Sequence, residues 1–300
     1  MNAVRTPHLI QWQQEGWLRP IDTGFADLLV TLAEESDEHV LIAAALTSFH
    51  LSSGHVCMDL HALLQAPANF LPKIVVPEEQ PERGWYSLIA TWQRMGLKSL
   101  LQRLQTSMAI GQGEGAEPLV LDGHRLYLRR YWTYETRVAA ALRARFDTAE
   151  NIEKPTTDLR TELTVLFGDL TADIDWQRVA VAMAARQRLT IISGGPGTGK
   201  TTTVVKLLSL LQGMALKERG RPLRIALSAP TGKAAARLTE SIGGAVSKLP
   251  HAESIPTQVT TLHRLLGARP DSREFSHHRG NPLHVDILVI DEASMVDLEM

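Results

Sequence analysis

The chain has 300 residues, of which 44% are hydrophobic and 21% charged, a balance that suits two or three folded units of roughly 100 to 200 residues and excludes a disordered polymer. A net charge of -2 gives no overall attraction for a polyanion, but residues 1–110 hold 7 Lys and Arg against 11 Asp and Glu (-4) and residues 151–300 hold 18 against 16 (+2). Any polyanion site therefore belongs in the later part.

Cys57 is the only cysteine, which rules out disulfides, thiolate zinc sites and iron–sulfur clusters built within these residues. Arg5, Glu15, Arg19, Asp22 and Asp27 break up the first 30 residues, and no later apolar run reaches ~18 residues. Secretion and membrane spanning are disfavoured, and a cytoplasmic location fits.

In chain order, residues 1–110 read as a small, mainly helical domain. Phe25, Leu28, Leu29 and Leu32, then Leu41, Ile42 and Leu46, recur at helical spacing. Pro67, Pro72, Pro77 and Pro81 predict an irregular stretch, and Gly111, Gly113 and Gly115 a boundary. Residues 111–158 follow as a linking region. It comprises a hairpin, Pro118–Leu121 and Arg125–Leu128, around Asp122-Gly123, which is expected to supply two positive φ values. A helix over Tyr131–Phe146 comes next, then a polar boundary at Asp147–Asp158 containing Pro155. The histidines and Cys57 around His50 and His55 read as ordinary helix-end or loop residues.

Residues 159–300 change character. From Asp173 on, strands alternate with helices, the pattern of a parallel sheet covered on both faces. Leu189–Ser193, Leu223–Ala229 and Val285–Ile290 are apolar enough to predict strands buried on both faces.

Two motifs in this part carry chemistry. Gly194-Gly195-Pro196-Gly197-Thr198-Gly199-Lys200-Thr201 fits G-x-x-x-x-G-K-[ST] between a predicted strand and a helix over Lys200–Gln212. Such glycines let backbone N–H groups curl around phosphates, and the helix N-terminus adds partial positive charge. Lys200 would reach the β and γ phosphates of ATP, and Thr201 would offer its hydroxyl to Mg²⁺. Thr202 joins the cofactor-binding set. The third predicted strand ends in Asp291-Glu292, placing carboxylates where open α/β sheets bind ligands. Asp291 would hold the magnesium, and Glu292 would polarise the attacking water. His277, His278 and His284 with Asp286 could suggest a metal site. The adjacent pair diverges in most backbone conformations, so a polar loop explains them better.

Three further stretches resemble superfamily 1 DNA helicases. Gln177, in Asp175-Trp176-Gln177-Arg178, matches the position that reads adenine in that family. Ala229-Pro230-Thr231-Gly232-Lys233 and Thr260-Thr261-Leu262-His263 are similar to motifs that hold single-stranded DNA, which makes Pro230, Thr231, Lys233, Thr261 and His263 candidate DNA contacts. Thr231 would also cap a helix. Ile192-Ser193 with the glycine loop through Thr203, Gly280-Asn281-Pro282-Leu283-His284 and Leu18-Arg19-Pro20-Ile21-Asp22 resemble the RecD family, the alpha subunits of exodeoxyribonuclease V.

The resemblance implies a RecA-like P-loop fold and ATP-dependent 5′–3′ helicase activity in double-strand break repair by homologous recombination. It also implies RecB-like and RecC-like partner subunits, with the N-terminal domain docked on the latter and the nuclease in the former. The family's second motor domain, its arginine fingers and its polarity-sensing Gln motif are expected beyond Met300. These residues therefore read as an N-terminal fragment that binds ATP and does not unwind DNA alone. Two other readings stay open: an AAA+-type remodelling ATPase, and a partner-binding module regulated by nucleotide.

Overall fold

The computed structural model describes residues 6–71, 85–147, 158–170, 172–195, 197–272 and 274–300. Pro72, Pro77, Pro81, Pro155 and Pro196 lie outside them. The chain forms two compact units that divide near Ala139 and Ala140.

In the first unit, α1 (Pro7–Gln14) starts where the Thr6 hydroxyl accepts the Leu9 N–H. Pro20 opens α2 (Pro20–Leu32), as its fixed φ suits a first helical turn. The fully buried Asp22 accepts from the Arg19 guanidinium at 2.7 Å and from Ser48 Oγ at 2.7 Å. A buried carboxylate is costly unless paired in this way, and the Ser48 bond ties α2 to α3 (Glu38–Ser52). Helix α3 is apolar on nearly every side, since all of Val40–Leu46 is buried, and such a helix belongs at the centre of a core.

Around it lie α4 (Leu60–Gln65), α5 (Trp85–Met95), α6 (Leu97–Gln105) and a sheet of β1 (Met58–Asp59), β2 (Ile110–Gly111), β3 (Leu119–Asp122) and β4 (Arg125–Leu128) in the order β1-β4-β3-β2. Leu119, Leu121 and Leu126 of the hairpin share one hydrophobic cluster with Trp12, Leu46 and Trp92, so hairpin and helices bury each other. Asp122 pairs with Arg125, which leaves Gly123 and His124 as the turn. Of Asp122, Gly123 and His124, only Gly123 has a positive φ, +59°, as in a type II′ turn. The expected Asp-Gly pair of positive φ values is thus corrected, because Asp122 belongs to the ladder.

The second unit begins within α7 (Arg129–Asp147). Next, α8 (Leu159–Phe167), α9 (Trp176–Ala184) and α10 (Lys200–Arg219) pack through Leu163, Val181, Leu210 and Met214. A parallel sheet of β5 (Ile225–Ala229), β6 (Thr260–Thr261) and β7 (Ile287–Ile290) has the order β6-β5-β7. Parallel neighbours need crossover connections; α11 (Gly232–Val246) supplies one between β5 and β6, and α12 (Leu262–Leu266) follows β6.

Four expectations need correction here. Helix α10 does not stop at Gln212 but runs to Arg219, where Gly220 takes φ +64°. Gln212 can sit inside because its amide is fully used: Nε2 donates to Leu223 O at 3.0 Å and Ser254 O at 2.7 Å, and Oε1 accepts the Leu223 N–H at 2.8 Å. Two strands are shorter than expected, beginning at Ile225 and Ile287 rather than Leu223 and Val285. Their first residues are held instead by a corner, in which the Arg224 N–H and guanidinium bind Asp286. That pairing holds the Asp286 carboxyl down to about 2. Leu189–Ser193 forms no ladder, and Ile191 is 82% exposed. Finally, among the described residues β7 is paired on the β5 side alone, and Leu288 and Ile290 stay partly exposed. Burial on both faces is met at the β5 positions Leu227–Ala229, which lie between two neighbours. Among the described residues, no helix is long and apolar enough to cross a membrane.

Candidate nucleotide-binding site

The glycine loop is shaped by its own residues. Gly197 and Gly199 take φ +74° and +81°, conformations that cost other residues roughly 1 to 2 kcal/mol. A Cβ on Gly194 would lie 2.6 Å from Thr198 Oγ1, and that hydroxyl donates to Gly195 O at 2.9 Å, drawing the loop together. Helix α10 starts at Gly199 with no side-chain cap. Its first N–H groups are therefore left for an external acceptor, backed by the dipole of a 20-residue helix. Lys200 Nζ lies back along the loop and donates to Gly194 O at 2.6 Å and Gly195 O at 2.9 Å. Bonds to a charged phosphate are roughly twice as strong as bonds to neutral carbonyls, so this lysine can exchange one set for the other.

Gln177 stands at the back of the same loop. Asp175 caps α9 by accepting the Gln177 and Arg178 N–H groups, and Gln177 Nε2 reaches Thr198 O at 3.4 Å. Arg178, which the sequence reading passed over, fixes this helix. It is buried and donates to Gly168 O at 2.8 Å and Thr164 Oγ1 at 3.1 Å. An arginine one step from the predicted adenine reader was its only signal.

Lys200, Thr201 and Asp291 line one cavity of about 730 Å³, together with Leu207, Leu208 and the strand β7. The structure thus brings together three of the predicted residues from segments 90 positions apart. Glu292 does not line this cavity; its backbone turns aside with φ +51°. Thr202, Gly195 and Gly197 belong to the loop and the first helical turn rather than to the cavity wall.

One strand over, the second set of candidates gathers. Thr231 caps α11 by accepting the Ala234 N–H at 3.2 Å, as expected. Lys233 is exposed on the first turn and Pro230 is partly so. Strand β6 pairs in register with β5, Ser228 opposite Thr260 and Ala229 opposite Thr261, so Thr231 and Thr261 emerge at the same end of the sheet. Thr261 accepts the Arg264 N–H at 3.3 Å. His263 is exposed and meets Phe275 edge-on at 6.0 Å. Ser228 was also missed: its hydroxyl donates to Thr260 O at 3.0 Å, and its carbonyl accepts the Asp291 N–H at 2.9 Å. A small polar residue inside an apolar strand was the available sign.

His277 and His278 serve the loop before β7: the Gly280 N–H donates to His278 Nδ1 at 3.1 Å, and Asn281 Nδ2 donates to Ser276 O at 2.9 Å. Asp286 is engaged by Arg224. These contacts account for the histidine-rich segment as a folded turn.

Replacing Gly199 by Ala tests the loop. The new Cβ would lie 2.4 Å from Gln177 Nε2 at φ +81°, and a strain of ~1.4 kcal/mol is worth about tenfold. Nucleotide affinity measured by calorimetry should fall by roughly that factor or more; a change under about twofold would mean that the loop does not need this shape in the bound state.

A glycine loop leading into a helix, a lysine and threonine facing an aspartate at a strand end, and a parallel sheet define a RecA-like P-loop nucleoside triphosphatase domain preceded by a helical unit. Residues 177–300 match the AAA domain family, and residues 14–127 match the N-terminal domain family of RecBCD enzyme subunit RecD. The chain is thus similar to RecD subunits over most of its own length. It is 38% identical over 287 residues to RecBCD enzyme subunit RecD of Mycolicibacterium smegmatis, covering 94% of this chain and 46% of that protein. With the Haemophilus influenzae subunit of the same name it is 33% identical over 282 residues, 89% of this chain and 42% of the other. A shorter match, 38% over 112 residues, links it to the ATP-dependent RecD2 DNA helicase of Deinococcus radiodurans, covering 37% of this chain and 13% of the helicase. The chain spans about half the length of the RecD subunits it matches.

Proposed function

We propose that the chain is the ATP-binding front part of an ATP-dependent 5′–3′ DNA helicase subunit, working in a RecBCD-like exodeoxyribonuclease V in recombinational repair in the cytoplasm. The observation that carries this reading is the cavity shared by Lys200, Thr201 and Asp291, one strand from the edge where Thr231 and Thr261 emerge.

In this reading the loop amides of Gly194–Thr202 and Lys200 hold the triphosphate of ATP, and Gln177 reads the adenine. Mg²⁺, held by Thr201 and Asp291, would neutralise phosphate charge. Glu292 orients the attacking water once its segment turns inward. Pro230, Thr231, Lys233, Thr261 and His263 contact the backbone of single-stranded DNA, where helix N-terminal amides and a lysine suit phosphate. The first unit, foremost residues 1–110, docks on a RecC-like subunit beside a RecB-like one. Within these 300 residues binding outlasts hydrolysis, since an arginine finger from another domain is worth ~10³ to 10⁵ in rate.

The test uses the full-length protein with its partner subunits. Glu292→Gln should keep ATP binding within a few-fold and reduce DNA-stimulated hydrolysis by on the order of 10² to 10³, the usual cost of losing one group that acts on the transition state. If single-stranded DNA leaves hydrolysis by the unaltered protein unchanged, the helicase reading fails and a remodelling ATPase is the better account.

A further inference from the structure

Trp176 opens α9 with 71% of its surface in water, and neither its ring nor its Nε1–H has a partner among the described residues. An indole is the largest apolar surface a side chain carries, so leaving one in water forfeits more burial than any other residue would. Its position is fixed all the same. Asp175 caps the first turn by accepting the Gln177 and Arg178 N–H groups, and the buried Arg178 guanidinium holds the helix through Gly168 O and Thr164 Oγ1.

The start of α9 also touches the glycine loop. Gln177 Nε2 donates to Thr198 O at 3.4 Å, and a Cβ on Gly199 would meet the same nitrogen at 2.4 Å. Consecutive helical residues point about 100° apart. A purine base offers hydrogen-bonding groups along its edge and an apolar face perpendicular to that edge. One group that reads the edge and another that covers the face must therefore approach roughly at right angles, and positions 177 and 176 provide those two directions.

The cavity of Lys200, Thr201 and Asp291 has no aromatic residue in its lining, and both Trp176 and Gln177 stand outside it. A base held at Gln177 thus gains no aromatic face from that cavity. The other Phe, Tyr or Trp residues of 140–300 are Phe146, Phe167 and Phe275. Phe167 carries Lys206 Nζ over its ring at 3.9 Å, Phe275 meets His263, and Phe146 belongs to α7.

We propose that the Trp176 indole is the stacking platform for the adenine ring of the bound nucleotide, covering its face while Gln177 reads its edge. This rests on the reading of Gln177 as the adenine contact, and it adds the residue that makes the site hold a base as well as a triphosphate. Stacking on an aromatic side chain serves any base, since every base has a π-face. Trp176 therefore supplies affinity, and Gln177 the choice of adenine.

The experiment titrates the full-length protein with ATP and then with inorganic tripolyphosphate by calorimetry. Trp176→Ala should lower ATP affinity about five- to a hundredfold, the range of base–aromatic stacking, and leave tripolyphosphate within about twofold. Trp176→Phe restores a ring and should recover most of the loss, while abolishing whatever part of the ATP-induced change in tryptophan fluorescence comes from this indole. GTP should lose the same factor as ATP in Trp176→Ala, whereas Gln177→Ala should narrow the preference for ATP over GTP. Met183→Ala, two turns further along α9 at a 61% exposed position, should change none of these affinities. An unaltered thermal melt shows that each variant is folded. Equal losses of ATP and tripolyphosphate in Trp176→Ala assign the ring to support of the loop, and no loss of either assigns it to another surface; both results overturn the proposal and leave ATP binding in place. An unaltered protein that holds tripolyphosphate as tightly as ATP overturns the adenine reading at Gln177 together with this one.

Discussion

Lys200→Ala is expected to weaken ATP binding by roughly ten- to a hundredfold, since hydrogen bonds to charged groups contribute about 1.5 to 3 kcal/mol. In the full-length protein, DNA-stimulated hydrolysis should fall further, by on the order of 10² to 10³, because the ammonium is needed most where phosphate charge moves in the transition state. The fold should survive the change. Among the described residues the side chain bonds the carbonyls of Gly194 and Gly195, and these lie on an exposed loop where water can replace it. Calorimetry with ATP and magnesium, paired with a thermal melt, separates loss of the grip from loss of structure. Affinity within about twofold of the unaltered protein, with an unchanged melt, would remove Lys200 from the site.

Trp92→Ala should have the largest effect on stability. The indole is fully buried in the first unit, and its Nε1–H donates to His39 Nδ1 at 2.7 Å. Burial, with help from Arg103, lowers the His39 pKa and so favours the neutral ring that can accept this bond. Large-to-small replacement of a buried tryptophan costs about 3 to 5 kcal/mol, a large share of the ~5 to 15 kcal/mol that hold a domain folded. The transition of that unit should drop by roughly 10 to 20 °C in differential scanning calorimetry. Trp92→Phe keeps most of the packing and removes the donor, so its cost should be nearer ~1 to 2 kcal/mol. Equal losses for Ala and Phe would mean that the hydrogen bond, not the volume, is what matters.

The glycine loop, Lys200, Thr201 and Asp291 were legible because their chemistry is written in contiguous residues: only glycine tolerates φ near +80°, and an apolar run ending in acid marks a strand end. The Thr231 cap was legible for the same local reason. Tertiary effects were not. Gln212 looked like a helix end because nothing near it in sequence reveals Leu223 and Ser254, which satisfy its amide. Leu189–Ser193 looked like a buried strand because its composition is apolar, yet a strand needs a partner edge, and pairing is a property of two segments. Ser228 could be seen as an oddity but not interpreted, since its two bonding partners lie 32 and 63 positions away.

The commitments of Ser228 limit how the molecule can transmit a change of state. With its carbonyl on Asp291 and its hydroxyl on Thr260, the acidic tip and the threonine-bearing strand are riveted to one rung. Creep of either along its neighbour by a single position would turn every side chain on it to the wrong face. A displacement at the Asp291 end would therefore be expected to carry this rung along with it, rather than to slide one strand past the next.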